Sequence, residues 1–224
     1  NDQVQQANNI ASVNNIKATA TELNTAMGEL KDSTADANSI KQGVNYTDAD
    51  VDKQQAYDNA LSQANAITNK DKGSNANKSQ VEAALQAVTE AKRQLNGDNK
   101  VAKAKAAAKQ ALNTYANLND AQKAHANDQI DDATTLADVT QAQTTASDLN
   151  TAMGQLKDSI QDQTSVKQQV NFTDADPDKK TNYTNAVTKA ESILNPTQGE
   201  NLAKDKVLEA LNQVTSTKDA LNGD

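Results

Sequence analysis

Hydrophobic positions recur at helical spacing along almost the whole chain. Val139, Ala142, Ala146, Leu149, Met153, Leu156 and Ile160 follow one another at alternating steps of three and four, one face of a single long helix over about 136–170. Thr135 with Asp138 three residues on predicts a capping box at its start. A polar turn follows over 171–176, and Asp176-Pro177 reads as an N-cap with a first-turn proline. Tyr183, Ala186, Val187, Ala190 and Ile193 predict a second helix, broken at Asn195-Pro196. Val207, Leu211, Val214 and Leu221 predict a third, stopped at Asn222-Gly223. Three antiparallel helices joined by short turns make a bundle. Upstream, Val101, Ala104, Ala108, Ala111, Leu112 and Tyr115 mark one short helix and 121–130 another. The start of the long helix completes this smaller bundle, so one helix serves two bundles. The predicted fold class is therefore all-α: tandem three-helix bundles sharing long helices, in an elongated rod.

The pattern repeats. Leu23-Asn24-Thr25-Ala26-Met27-Gly28 returns as Leu149-Asn150-Thr151-Ala152-Met153-Gly154, an offset of 126 residues, and 49 of residues 1–98 are identical at that offset without a gap. Residues 99–224 form one complete unit, divided into a small bundle over 99–148 and a larger one over 149–224. Residues 1–98 are the last part of the unit before it, with their larger bundle over about 11–98. A chain cut in phase with its repeats is expected to be a piece of a tandem array.

Composition sharpens this picture. Of 224 residues only 36% are hydrophobic, 38 are alanine and 2% are aromatic, with no cysteine, two prolines and seven glycines. All-β folds lack their turn and β-branched residues here, and disulfide scaffolds lack their thiols. Alanine has the best helix propensity, and slim bundles with narrow apolar stripes need few large side chains. A net charge of −8 excludes nucleic acid and anionic membrane surfaces, which demand clustered Lys and Arg. In the run Lys100, Lys103, Lys105 and Lys109 the first three do not share one narrow face, and the run reads as a solvated surface. His125 is the lone histidine, in an alanine-rich helix where a solvent-facing place is expected. With no pocket implied, the chain is expected to be no enzyme and to hold no cofactor.

Three features invite a site reading. Asp48, Asp50 and Asp52 recur as Asp174, Asp176 and Asp178, the alternation that opens an EF-hand loop. The sixth position is Lys53 or Lys179 instead of glycine, and the twelfth is Asn59 or Asn185 instead of glutamate. Helix capping and first-turn electrostatics explain the same aspartates; a weak cation site is the alternative. Tyr46 with Tyr57, and Phe172 with Tyr183, stand eleven residues apart across that turn. They read either as a packed pair closing the bundle or as a platform on which a sugar stacks. Gly28 and Gly154 inside the long helices mark either a close helix approach or a tolerated surface glycine.

The segment Leu149-Asn-Thr-Ala-Met-Gly-Gln-Leu-Lys-Asp-Ser-Ile160, then Val170-Asn-Phe-Thr-Asp-Ala-Asp176, Tyr183 and Ala190-Glu-Ser-Ile-Leu-Asn195, resembles a FIVAR module. The stretch 99–148 resembles a GA-type module, the three-helix fold of bacterial albumin binders. Alternation of the two resembles the giant wall-associated adhesins of bacteria, over essentially the whole chain. The resemblance implies a bacterial cell-surface or cell-wall location, with signal peptide and anchor in segments absent here. It implies a host matrix protein such as fibronectin as partner, a role in the cell envelope, and cell-wall glycan as an alternative ligand. Albumin binding is not carried over: the family's albumin face is bulky on the second helix, where this chain has Ala121-Gln122-Lys123-Ala124-His125. Two functions stand side by side, a matrix-binding surface that gains strength by avidity and a monomeric structural spacer.

Overall fold

The computed structural model describes residues 2–224, and every regular element among them is helical. The chain divides into two compact units, Asn1–Lys100 and Val101–Asp224. The first holds α1 (Asp2–Gln5), α2 (Ile10–Thr34), α3 (Ala37–Gln42), α4 (Val44–Thr47), α5 (Val51–Thr68) and α6 (Lys78–Gln94). The division falls within α7 (Gly97–Asn113). The second unit continues with α8 (Asp120–Asp132), α9 (Leu136–Ser159), α10 (Gln163–Val166), α11 (Val170–Thr173), α12 (Pro177–Leu194) and α13 (Lys204–Asp219).

In the first unit α2, α5 and α6 pack on one another. Leu30, Tyr57, Ala64, Val81 and Val88 are fully buried between them, and half of the twelve core residues are alanine. Small side chains let helix axes approach closely, so a thin seam excludes water without large residues. In the second unit α9 packs against α8 and also against α12 and α13, and one helix thus serves two bundles. Its buried face runs Val139, Ala142, Ala146, Leu149, Ala152, Met153 and Leu156, the stripe read from the sequence. Where α9 has α8 on it, Val139 is 2% exposed; its counterpart Val13 in α2 is 38% exposed.

Ion pairs recur at the same separation in both units. Lys78 reaches Glu22 at 3.0 Å and Lys204 reaches Asp148 at 2.9 Å, each across 56 residues. Lys92 with Asp36, and Lys218 with Asp162, do the same at the far end of the bundle. These exposed pairs contribute little stability each, but they fix the register of the third helix against the first.

The long helix expected over 136–170 is shorter than its periodicity suggests: α9 ends at Ser159 and α2 at Thr34. Ser159 Oγ donates to the Leu156 carbonyl at 2.7 Å, and Ser33 Oγ donates likewise to Leu30. Such local bonds compete with the helical ladder. Asp162 and Asp36 then stand at the N-caps of the next short helices, held there by Lys218 and Lys92. The polar turn begins with the single helical turn of α11, or of α4 in the first unit.

Candidate functional site

The aspartate turn leads into α5 and α12. Asp50 and Asp176 occupy the N-cap positions, and Pro177 sits at the start of α12. Neither carboxylate bonds to its own helix. Each binds an asparagine 46 residues away instead. Asp50 N–H donates to Asn96 Oδ1 at 3.0 Å while Asn96 Nδ2 donates to Asp50 Oδ2 at 2.7 Å. Asp176 and Asn222 repeat the pair at 3.1 and 3.0 Å. Expected caps are thus the anchors of a clamp between the start of one helix and the linker behind the next. Lys100 Nζ adds a bond to Asp50 Oδ1 at 2.8 Å; with Asn96 it holds the Asp50 carboxyl below the usual aspartate range. Asp52 and Asp178 lie in first turns, where the helix dipole favours them. Asp48 and Asp174 end α4 and α11, and Thr173 Oγ1 donates to Asp174 at 3.0 Å. Among the described residues no three acidic or imidazole side chains converge as metal ligands would.

The aromatic residues meet edge to face, Tyr46 with Tyr57 and Phe172 with Tyr183, both at centroid distances of 6.1 Å. Tyr57 and Tyr183 are fully buried, so neither presents a ring face on which a sugar could stack. Their partners Tyr46 and Phe172 keep partial exposure, as does Tyr115 outside the pairs. Burial raises both buried phenols, and their hydroxyls have no hydrogen-bond partner. Tyr46 differs from Phe172 in having a hydroxyl, which donates to Asp58 Oδ2 at 2.9 Å; Lys41 Nζ stands 2.8 Å from Asp58 Oδ1. Burial opposes ionisation of Asp58, but the bonds from Lys41 and Tyr46 outweigh it and lower its pKa. Thr184 replaces Asp58 in the second unit, where no such trio forms.

A polar cluster that the periodicity did not reveal lies inside the second unit. Asn119 and Gln122 are each 1% exposed, the buried polar residues among the described ones. They form a capping box on α8, with Gln122 N–H donating to Asn119 Oδ1 at 2.8 Å. Their amide nitrogens then reach the last turn of α12 and the loop behind it. Asn119 Nδ2 donates to Ile193 O at 3.3 Å and Glu200 O at 3.0 Å, and Gln122 Nε2 to Leu202 O at 3.1 Å. Asp120 N–H joins them on Pro196 O at 2.8 Å. Gly199 makes the fit possible, since a Cβ there would stand 2.5 Å from Asn119 Nδ2. The signal for half of this was present in Asn119-x-x-Gln122, a capping-box pattern; the loop partners had none.

His125 is exposed and lines a groove of about 310 Å³ with Gln129, Thr145, Leu149, Leu202 and Lys204. Of the lysine run, Lys103 is exposed, whereas Lys105 donates to Asp131 O and Lys109 pairs with the Asp131 carboxylate at 2.6 Å. The two helix glycines differ: nothing lies within 4 Å of a Cβ placed on Gly28, but Asn117 Nδ2 stands 2.8 Å from one on Gly154. Gly28 is thus a tolerated surface glycine, whereas at Gly154 the close neighbour is a side chain of the α7–α8 loop and not a second helix.

The chain matches the FIVAR domain over residues 26–96 and 152–222, and the GA module over 1–26 and 98–152. It is 61% identical over 92% of its length to the extracellular matrix-binding protein EbhA of Staphylococcus aureus strain Mu3, and 60% identical to EbhB of strain Newman. It spans about 3% of the length of those relatives. A crystal structure of an EbhA domain from S. aureus superposes with a TM-score of 0.83 at 44% identity, covering 88% of this chain and 78% of that one. A structure from work on Embp-mediated adherence of Staphylococcus epidermidis to fibronectin gives a TM-score of 0.53 at 25% identity, over 56% of this chain and 99% of that one.

Proposed function

Because the chain belongs to the FIVAR-domain family, with GA modules between its FIVAR domains, we propose that it is a repeat segment of a bacterial cell-surface adhesin that binds host extracellular matrix without catalysis. The observation that carries this reading is the pairing of repeated modules with relatives described as extracellular matrix-binding proteins. Fibronectin is the partner to test first, since the Embp structure comes from work on adherence to it. In this reading 99–148 is a GA-type module, 149–224 a FIVAR-type bundle, and 1–98 the corresponding end of the preceding repeat. Large exposed hydrophobics, Val4, Ile10, Val13, Val51 and Val170, are few, so a single repeat offers no concentrated hot spot. Many weak identical sites then gain strength through effective concentration. The test measures fibronectin binding by this chain and by concatemers of it. Affinity that rises steeply with repeat number supports adhesion; a long concatemer no better than an unrelated helical repeat overturns it.

A second reading, a spacer that holds distant parts of the protein away from the cell wall, is favoured by the shared helix α9, which leaves no flexible joint between its two bundles. Small-angle scattering of arrays decides it: length must grow in proportion to the number of 126-residue units. Of the two aromatic pairs, cell-wall glycan as ligand keeps Tyr46 and Phe172 as partly exposed rings. Albumin is not proposed, because α8 offers Ala121, Ala124 and His125 to solvent where bulky anchors are needed. A cell-surface location fits the relatives' descriptions, and among the described residues no helix is long and apolar enough to cross a membrane.

A further inference from the structure

Asn-Gly occurs twice in the sequence, at Asn96-Gly97 and Asn222-Gly223, each in the segment behind the last helix of a three-helix bundle. Without a Cβ, glycine lets its backbone nitrogen approach the preceding carboxamide carbon with the least hindrance. Both carboxamides also hold the aspartate clamps: Oδ1 accepts the Asp50 or Asp176 N–H, and Nδ2 donates to the same residue's carboxylate.

We propose that Asn96 and Asn222 are sites of covalent deamidation, gated by these clamps, and that conversion unties the turn irreversibly. The Gly97 nitrogen adds to Asn96 Cγ; the N–Cγ bond forms, and Nδ2 leaves as ammonia with the proton from the glycine nitrogen. Water then opens the five-membered imide. Opening at Cγ gives aspartate, and opening at the backbone carbonyl gives isoaspartate, whose main chain runs through Cγ. While Asp50 holds both ends of the carboxamide, Cγ is kept from swinging onto the Gly97 nitrogen. The glycine side is fixed as well. A Cβ on Gly97 would stand 2.1 Å from Val44 O, and Gly223 N–H donates to Asn171 at 3.1 Å. Ring closure therefore requires the clamp to open. Once converted, the donor that stood 2.7 Å from Asp50 Oδ2 has become a carboxylate. Like charges at that distance oppose refastening, and isoaspartate adds a methylene to the main chain of the linker. One such one-way release is built into each 126-residue repeat.

The test incubates the full chain at mildly alkaline pH and follows the tryptic peptides 94–100 and 219–224 by mass spectrometry, reading the replacement of NH2 by OH. Conversion of both asparagines is expected, slower in the folded chain than in urea. Asp50→Ala is expected to speed Asn96 about tenfold, the factor for one charge-assisted hydrogen bond, and to leave Asn222 unchanged. Asp176→Ala should do the reverse, so each variant controls for the other. If Asp50→Ala unfolds the first unit, Asp50→Asn, which keeps a hydrogen-bonding side chain, is expected to give an intermediate Asn96 rate in a folded chain. Equal Asn96 rates in native, Asp50→Asn and urea-unfolded chain overturn the gating. No conversion in the native chain while the unfolded chain converts overturns the sites themselves. Asn96→Asp must lower the melting temperature, and adding Asp50→Asn to it must restore part of the loss; failure of both removes the consequence claimed for conversion.

Discussion

Replacing Asn119 by alanine removes several interactions that all lie within the second unit. The α8 cap on Gln122 N–H is lost, as are two donors to the Ile193 and Glu200 carbonyls. An N-cap is worth about 1 kcal/mol. Ile193 O, in a buried bond, costs about 1 kcal/mol more when stripped of its donor, and Glu200 O, in a half-buried one, up to about 1 kcal/mol. Because the site is 1% exposed, water does not compensate without rearrangement. The sum is up to about 3 kcal/mol, or a fall of up to roughly 10 °C in the melting temperature of a unit this size. Urea and thermal unfolding by circular dichroism measure it. The transition of Asn1–Lys100 serves as internal reference, since it contains none of the lost partners. Asn119→Asp separates the contributions: it keeps the cap acceptor but places a charge against two carbonyls. Its loss at neutral pH should equal or exceed that of alanine, and should ease as acid protonates the carboxyl into a donor. A loss below about 1 kcal/mol for Asn119→Ala would refute the reading of this cluster as the bond from α8 to the last turn of α12 and the loop behind it.

Three further outcomes rest on the packing of the same helices. Tyr57→Phe and Tyr183→Phe delete buried hydroxyls without partners while keeping the edge-to-face rings; unfolding free energies from urea titration should hold or rise by up to about 1 kcal/mol, whereas Tyr183→Ala should cost about 3–5 kcal/mol. A loss above about 1 kcal/mol in the phenylalanine variants would mean the hydroxyls are bonded. Gly28→Ala, with open space around it, should stabilise by up to about 1 kcal/mol, and Gly154→Ala should gain less because Asn117 must move. Asp50, Asp58 and Asp138 all lie below the ordinary aspartate value of 3.8 in the folded chain. Lys100 and then Asn96 cause it at Asp50; at Asp58 burial opposes the Lys41 and Tyr46 bonds that lower it; at Asp138 the cause is Thr135, then Thr134. Carboxyls depressed on folding stabilise fully above the unfolded value and lose that contribution as pH falls through the folded one. The urea midpoint should therefore drop as pH falls below about 4, and a flat profile there would count against these bonds.

The repeat, the bundle class and the alanine seams were legible in the sequence, because helical periodicity and small-residue packing act within one or two turns. The Thr135–Asp138 capping box and the Pro177 start were legible for the same reason, and both stand as read. The end of α9 was not, since the stripe continues through Ile160 while Ser159, Asp162 and the distant Lys218 stop the helix. Nor could spacing show that the Asp50 carboxylate turns to Asn96 instead of its own helix, or that Gly28 and Gly154 have opposite surroundings. The α8–loop cluster lies furthest out of reach. Its partners stand 74 to 81 residues away in the chain. Local sequence decides which backbone groups a helix satisfies for itself; only the packed chain decides which distant side chains meet the groups left over.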